Sequence, residues 1–149
     1  FTNDWEQRRI EDLVNLVKKS SLLITQIKNK GSYPVYSAGT FFGYNDLYFT
    51  NEPSILISVD GSIGNLMYLD VNSWFISTNN ALFASNIVST WFLYYLLKTV
   101  KFNTYWTGST IPHLYFKTYK KIKKLIPSKN EQNCIVKIMH SLNTSISLL

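Results

Sequence analysis

The spacing of apolar positions changes character along the chain. Ile10, Leu13, Val14 and Val17 stand at i, i+3, i+4 and i+7, which predicts a short amphipathic helix. Lys28 to Ser32 reads as a basic turn, and Tyr33 to Ala38 as a strand with Pro34 near its start, where a missing N–H is tolerated. Gly39 and Gly43 bracket an expected loop carrying Phe41, Phe42, Tyr44 and Asn45. Ser54 to Val59, Leu66 to Val71 and Trp74 to Ser77 read as strands, the first ended by Asp60-Gly61 and the last running into Asn79-Asn80. From Asn86 the period becomes helical: Ile87, Val88, Trp91, Phe92, Tyr95 and Leu96 share a face, with Lys98 where a cation suits the helix dipole. Residues 103–113 are polar and irregular. Lys117 to Lys124 is a basic segment expected to turn Tyr119, Ile122 and Leu125 inward before Pro127 stops it. Ser128 and Glu131 have capping-box spacing. Behind them Ile135, Ile138, Met139, Leu142, Ile146 and Leu149 recur at near-heptad intervals. The pattern predicts an α+β fold: a small mixed or antiparallel twisted sheet with packed helices over residues 1–127, then a projecting C-terminal helix over 128–149.

Composition sharpens this picture. The 149 residues suit one domain. Only 16% are charged, against about 25% usually. Asn, Ser and Thr number 42 against 24 charged residues, so the surface is rich in short uncharged hydrogen-bonding groups. Cys134 is the single cysteine, which excludes an internal disulfide, and with two histidines a Cys/His zinc site is excluded too. The net charge of +6 is unevenly placed: +2 over residues 1–30, −4 over 31–97 and +8 over 98–149. A basic third on an otherwise acidic chain suggests a polyanionic partner; the plainer reading is a solvated lysine face. Residues 71–97 carry no charge, but ten of these 27 positions are Asn, Ser or Thr, too polar for a membrane span. The chain opens on Phe1 without Met and without a basic-then-apolar leader, so the expectation is an excised piece of a cytoplasmic protein.

The chemistry that would make an enzyme is missing. No Gly precedes a Lys, so there is no P-loop, and G-x-G-x-x-G and G-x-S-x-G are absent. No Pro-Pro pair supplies the motif of amino-methyltransferases, and no acidic residue stands two before a Lys, as metal-dependent nucleases require. Cys134 and His140 lie six apart on one helix, on different faces, and read as structural. A non-catalytic chain is expected.

Seven ordered blocks resemble the target recognition domain of type I restriction-modification specificity subunits. They are FTNDWEQRRI (1–10), YPVYSAG (33–39), ILISVDGSIG (55–64), WFISTNNA (74–81), FLYY (92–95), GSTIPHL (108–114) and KLIPSKNEQ (124–132). Each is weak alone, but together they span nearly the whole chain. Ile126-Pro127-Ser128 departs from the two further prolines usual before Glu-Gln, in a linker rather than a recognition surface. The resemblance implies a DNA-reading module with no cofactor of its own, equivalent to half a specificity subunit. In that family two recognition domains, held apart by long helices, each read one half of a split double-stranded target. Methyltransferase subunits clamp around the helices and an endonuclease-translocase subunit joins. S-adenosylmethionine, ATP and magnesium belong to those partners. For this chain the resemblance implies a second recognition domain, or a second copy, as partner through the C-terminal helix.

The residues themselves support a DNA reader. Lysines supply phosphate contacts, while Asn, Ser, Thr and Tyr can meet base edges, Asn binding adenine through two hydrogen bonds. Phosphate candidates are Lys28, Lys30, Lys117, Lys120 and Lys121. Base or sugar candidates are Tyr36, Ser37, Tyr44 and Asn45 by the glycine loop, Asn79 and Asn80 after the strand, and Thr107, Ser109, Thr110 and His113 in the polar loop. Plainer readings stand beside these: Tyr36 as core, and adjacent asparagines that only bind backbone in a turn. Trp74, Trp91, Phe92 and Tyr95 read as core. Two rival functions are a single-stranded or RNA-binding module, and a protein-interaction module using only the C-terminal stripe.

Overall fold

The computed structural model describes residues 4–147. In chain order the elements are β1 (Glu6–Arg9), α1 (Ile10–Leu13), β2 (Val14–Lys19), β3 (Tyr33–Ser37), β4 (Thr40–Asn45), β5 (Ser54–Ser58), β6 (Leu66–Leu69), β7 (Trp74–Phe75), β8 (Asn79–Ala84), α2 (Thr90–Leu97), α3 (Phe116–Tyr119), β9 (Lys123–Ile126) and α4 (Lys129–Ser147). The α+β expectation holds, with the strands divided among sheets. An antiparallel sheet runs β2-β8-β5-β6, a second runs β4-β3-β7 with β3 and β7 parallel, and β1 pairs with β9 as a ribbon.

β5 explains the architecture. All five of its residues are buried, because hydrophobic groups cover both faces. Ile55 and Ile57 join a core with Leu82 of β8, Phe92, Leu93 and Leu97 of α2, and Tyr119. Leu56 points the other way, into a core with Ala81 and Phe83 of β8, Val35 of β3, and Trp74 and Phe75 of β7. The charge-free stretch 71–97 is therefore the central layer and the helix packed on it. Trp91 of α2 lies flat on Tyr68 of β6, ring centroids 4.0 Å apart.

Three expectations are corrected. The helix over 10–17 is one turn of helix followed by a strand. A bulge between Val14 and Leu16 in the β2–β8 register inserts an extra residue, so Val14 and Val17 face the same core despite standing three apart. A bulged strand thus imitates helical spacing. The loop over 39–45 is strand β4, joined to β3 by the turn at Ala38-Gly39. Gly43 sits there because an added Cβ would lie 2.5 Å from Ile27 Cγ2. Finally, Tyr119 turns inward as expected, but Leu125 on the ribbon is exposed.

α4 begins docked and ends free. Ser128 Oγ accepts from Glu131 N at 3.3 Å, and the Glu131 carboxylate accepts from Trp5 Nε1 at 2.8 Å. Gln132 is buried. Its Nε2 donates to the carbonyls of Ile87 and Pro127, and its Oε1 accepts from Ser89 N. One turn on, Ile135 and Val136 pack against the core. Tyr95 Oη meets His140 Nδ1 at 2.7 Å and accepts from Asn143 Nδ2 at 3.2 Å. Of the predicted stripe, Ile135 and Met139 are half-buried, Ile138, Leu142 and Ile146 are exposed, and Leu149 lies outside the described residues. No described helix is long and apolar enough to cross a membrane.

Candidate nucleic-acid interface

The end of the four-stranded sheet opens into a cleft of about 390 Å³. Val17, Lys19 and Asn80 form its floor, and Val59, Asp60 and the segment His113–Lys117 form its walls. The β2–β8 register sets Lys19 directly opposite Asn80, so the two side chains share a face. The wall is held by Leu114 N donating to Val59 O at 3.0 Å and by His113 Nδ1 against the Asp60 carboxylate. The His113 ring lies 4.2 Å from that of Tyr115, and Lys117 Nζ stands 5.4 Å from the Tyr115 ring centre. Among the described residues Lys19 and Lys117 have no carboxylate partner.

The polar loop projects beside this cleft. Thr107 and His113 exchange backbone hydrogen bonds at 2.8 Å and close its base. Gly108 has φ +98°, and an added Cβ would lie 2.5 Å from Ile111 O. Thr107, Ser109 and Thr110 are exposed, as are Trp106 and Ile111.

The structure brings Asn80, His113 and Lys117 together, with the 107–110 loop alongside. It separates them from several other candidates. Asn79 is fully buried: its Oδ1 accepts from Ala38 N and Ser58 Oγ, and its Nδ2 donates to Ser37 Oγ and Thr78 Oγ1. It ties the β3 end to β5 and has nothing left for a base. Ser37 Oγ accepts one of these bonds. Asn79 and Asn80 open strand β8 rather than sit in a turn, so alternation sends one into each core. Asn45 is also spent. Its Oδ1 accepts from Leu47 N and Tyr48 N and its Nδ2 donates to Tyr48 O, the self-capping expected of Asn in a turn.

Two lysine groups are partly neutralised. Lys121 and Lys120 stand 2.8 and 3.6 Å from the Glu11 carboxylate, which Lys121's hydrogen bond, with both ammonium charges and Arg9, holds below the usual range. Lys28 stands 3.2 Å from Asp46, whose carboxyl is lowered by the Ser32 N–H and by Lys28 itself. Lys30 is exposed with no carboxylate partner among the described residues. Tyr36 and Tyr44 are half-buried and flank Phe41 edge-on, at 5.7 and 5.4 Å.

Sequence reasoning missed Lys19 and Tyr115. Lys19 was hidden by the helical reading of residues 10–17; the strand pairing opposite Asn80 is what brings it to the site. Tyr115 carries no signal beyond lying between His113 and Lys117.

The type I restriction modification DNA specificity domain matches residues 2–149. The chain belongs to that family. It is 30% identical over 161 positions to the type I restriction enzyme MjaVIII specificity subunit of Methanocaldococcus jannaschii, covering 98% of this chain and 37% of that protein. The fold superposes on the type I restriction-modification S subunit from M. genitalium with a TM-score of 0.76 at 25% identity, covering 97% of this chain and 41% of that one. A chain from a type I R-M system solved for its complex assembly and conformational transition gives a TM-score of 0.77 at 14% identity, with 99% and 40% covered. The chain thus spans about two fifths of the length of these relatives. A type I specificity domain has a role in DNA sequence specificity, and the α+β fold with its C-terminal helix is the one these subunits share.

Proposed function

We infer that this chain binds double-stranded DNA sequence-specifically and reads one half of a split target. Supporting this is the convergence of the unpaired Lys19 and Lys117 with Asn80, His113 and the exposed 107–110 loop. On this reading the lysines, with Lys30, hold phosphates, and His113 and the 107–110 loop meet bases. Lys28, Lys120 and Lys121 add weaker phosphate contact because each shares a carboxylate. The chain catalyses nothing itself. It directs methyltransferase and endonuclease-translocase subunits in the cytoplasm. The exposed face of α4 packs on the helix of a second recognition domain, or on a second copy.

The test is salt-dependent binding to mixed duplexes. Each phosphate contact contributes a slope of about −0.9 in log K against log salt, so Lys19→Ala with Lys117→Ala flattens the slope by up to about 2 units. Lys120→Ala with Lys121→Ala flattens it less. An unchanged slope in the first variant refutes this interface. One observation favours a single-strand reading: Phe41 is 51% exposed between two tyrosines on the outer sheet. Tighter binding to single strands than to duplex, lost in Phe41→Ala, would establish that reading instead.

A further inference from the structure

Asn80 differs from Asn79 and Asn45 in lining the cleft with a carboxamide that no protein group engages. The residue is 7% exposed, it lines the cleft, and among the described residues its carboxamide has no hydrogen-bond partner. Among the described residues the buried side-chain polar atoms without a partner are Ser54 Oγ and Tyr119 Oη, so the Asn80 carboxamide opens onto the cleft, whereas both polar atoms of the neighbouring Asn79 side chain are engaged within the protein. The Asn80 amide is thus available to a ligand that enters the cleft.

Its depth restricts what that is. Side chains that read an intact duplex protrude into a groove. Asn80 is only 7% exposed and lines the cleft together with His113 and Tyr115, so a base reaches it by entering the cleft. The ligand is small enough for about 390 Å³ and offers a donor and an acceptor side by side. The remaining lining fits the rest of a nucleotide: Tyr115 and His113 present ring surface, and Lys19 and Lys117 carry unpaired positive charge. The one carboxylate in the cleft, Asp60, is engaged by His113.

We propose that this cleft binds a single unpaired nucleotide, its base against Asn80 and its phosphate held by Lys19 and Lys117. Adenine suits it best, because adenine sets a donor beside an acceptor on both its Watson–Crick and its Hoogsteen edge. The nucleotide comes either from a strand of bound DNA, swung out of the stack, or from free solution. The inference deepens the DNA reading above and relies on it only for the first source.

The experiment is an NMR titration of the ¹⁵N-labelled chain with dAMP, the other deoxynucleotides and deoxyribose 5-phosphate. The expected result is movement of the Asn80 side-chain amide and of the Lys19 and Tyr115 backbone signals. dAMP binds roughly tenfold more tightly than the sugar phosphate. Asn80→Ala or Asn80→Ser, checked for retained signal dispersion, removes that preference, while Lys19→Ala weakens dAMP and sugar phosphate together. Equal binding of dAMP and sugar phosphate, or an Asn80 amide unmoved by every nucleotide at millimolar excess, overturns the proposal. Competition separates the sources. Weakened duplex binding with the cleft filled assigns it to a DNA strand; unchanged duplex affinity assigns it to free nucleotide. Duplex binding with a silent cleft overturns this inference alone. A filled cleft with no duplex binding overturns the DNA reading alone.

Discussion

Asn79 and Asn80 are chemically identical neighbours given opposite work, and replacing each by alanine separates the two. In Asn79→Ala the Ala38 N–H loses its acceptor at 3.0 Å, and the Ser58 and Ser37 hydroxyls lose their partners at 3.3 and 3.0 Å. The Ser58 and Asn79 side chains lie in a layer closed to water, so their groups cannot turn to solvent. An orphaned buried group costs about 1–3 kcal/mol, and lost neutral bonds about 1 kcal/mol each. Allowing for partial relaxation, the sum is about 3 kcal/mol. For a chain of this size that lowers Tm by roughly 6–12 °C. Asn80→Ala breaks no hydrogen bond among the described residues and removes an amide that opens onto the cleft, so its stability stays within about 0.5 kcal/mol of the parent. Thermal and urea unfolding followed by circular dichroism measure both. Equal losses in the two variants would refute the assignment. So would an Asn79→Ala chain of parental stability whose preference among DNA sequences had changed, since Asn79 would then be reading bases.

Other consequences can be measured in the same way. Gln132→Leu leaves Ser89 N and the Ile87 and Pro127 carbonyls without their partner, and unfolding shows a loss of about 3 kcal/mol, far above that of an exposed α4 position such as Ser141→Ala. Glu11 and Asp46 are held below their ordinary values of 4.5 and 3.8, so the stability they contribute is present above those values and lost as pH falls through the lowered ones. Urea midpoints measured from neutral pH into that acid range fall less steeply in Glu11→Gln with Asp46→Asn than in the parent. Leu142→Asp with Ile146→Asp converts a self-associated chain into a folded monomer with intact DNA binding, read by light scattering; a parent already monomeric at high concentration removes self-pairing, and a variant still dimeric moves the interface elsewhere.

Much of the fold is legible in the sequence because burial sets the alternation. β3, β5 and α2 fall where strand and helix spacing place them, and the charge-free stretch 71–97 marks the doubly covered layer. What is not legible is pairing. The bulge in β2 makes Val14 and Val17 mimic a helix, and Gly43 reads as a loop residue although it marks a close crossing of strand and backbone. The site suffers from the same blindness. Residue type alone cannot tell Asn79 from Asn80, because their difference is one step of strand alternation. Nor can it tell Lys117 from Lys121, because the difference is Glu11, 110 residues away in the chain. The resemblance in seven blocks identified the family, since order along the chain survives where individual contacts do not.

The two ends of the molecule's work are mechanically joined through α4. Its first four turns are held by Gln132 on the start of α2, by Ile135 and Val136 on the core, and by the Tyr95–His140–Asn143 hydrogen bonds. Trp91 of α2 sits edge-on to His140 and flat on Tyr68 of β6, so helix, helix and sheet form one packed stack. β6 pairs with β5, and β5 with β8, whose Asn80 floors the cleft. Close-packed layers of this kind transmit position because they cannot deform continuously. The direction in which the exposed stripe of Ile138, Leu142 and Ile146 points is thus set, through contacts made of ring faces and backbone hydrogen bonds, by the same sheet that carries the cleft. On the proposed reading, a partner helix laid on that stripe would acquire a fixed bearing toward DNA held at the cleft, which is the physical requirement for measuring the distance between two half-sites.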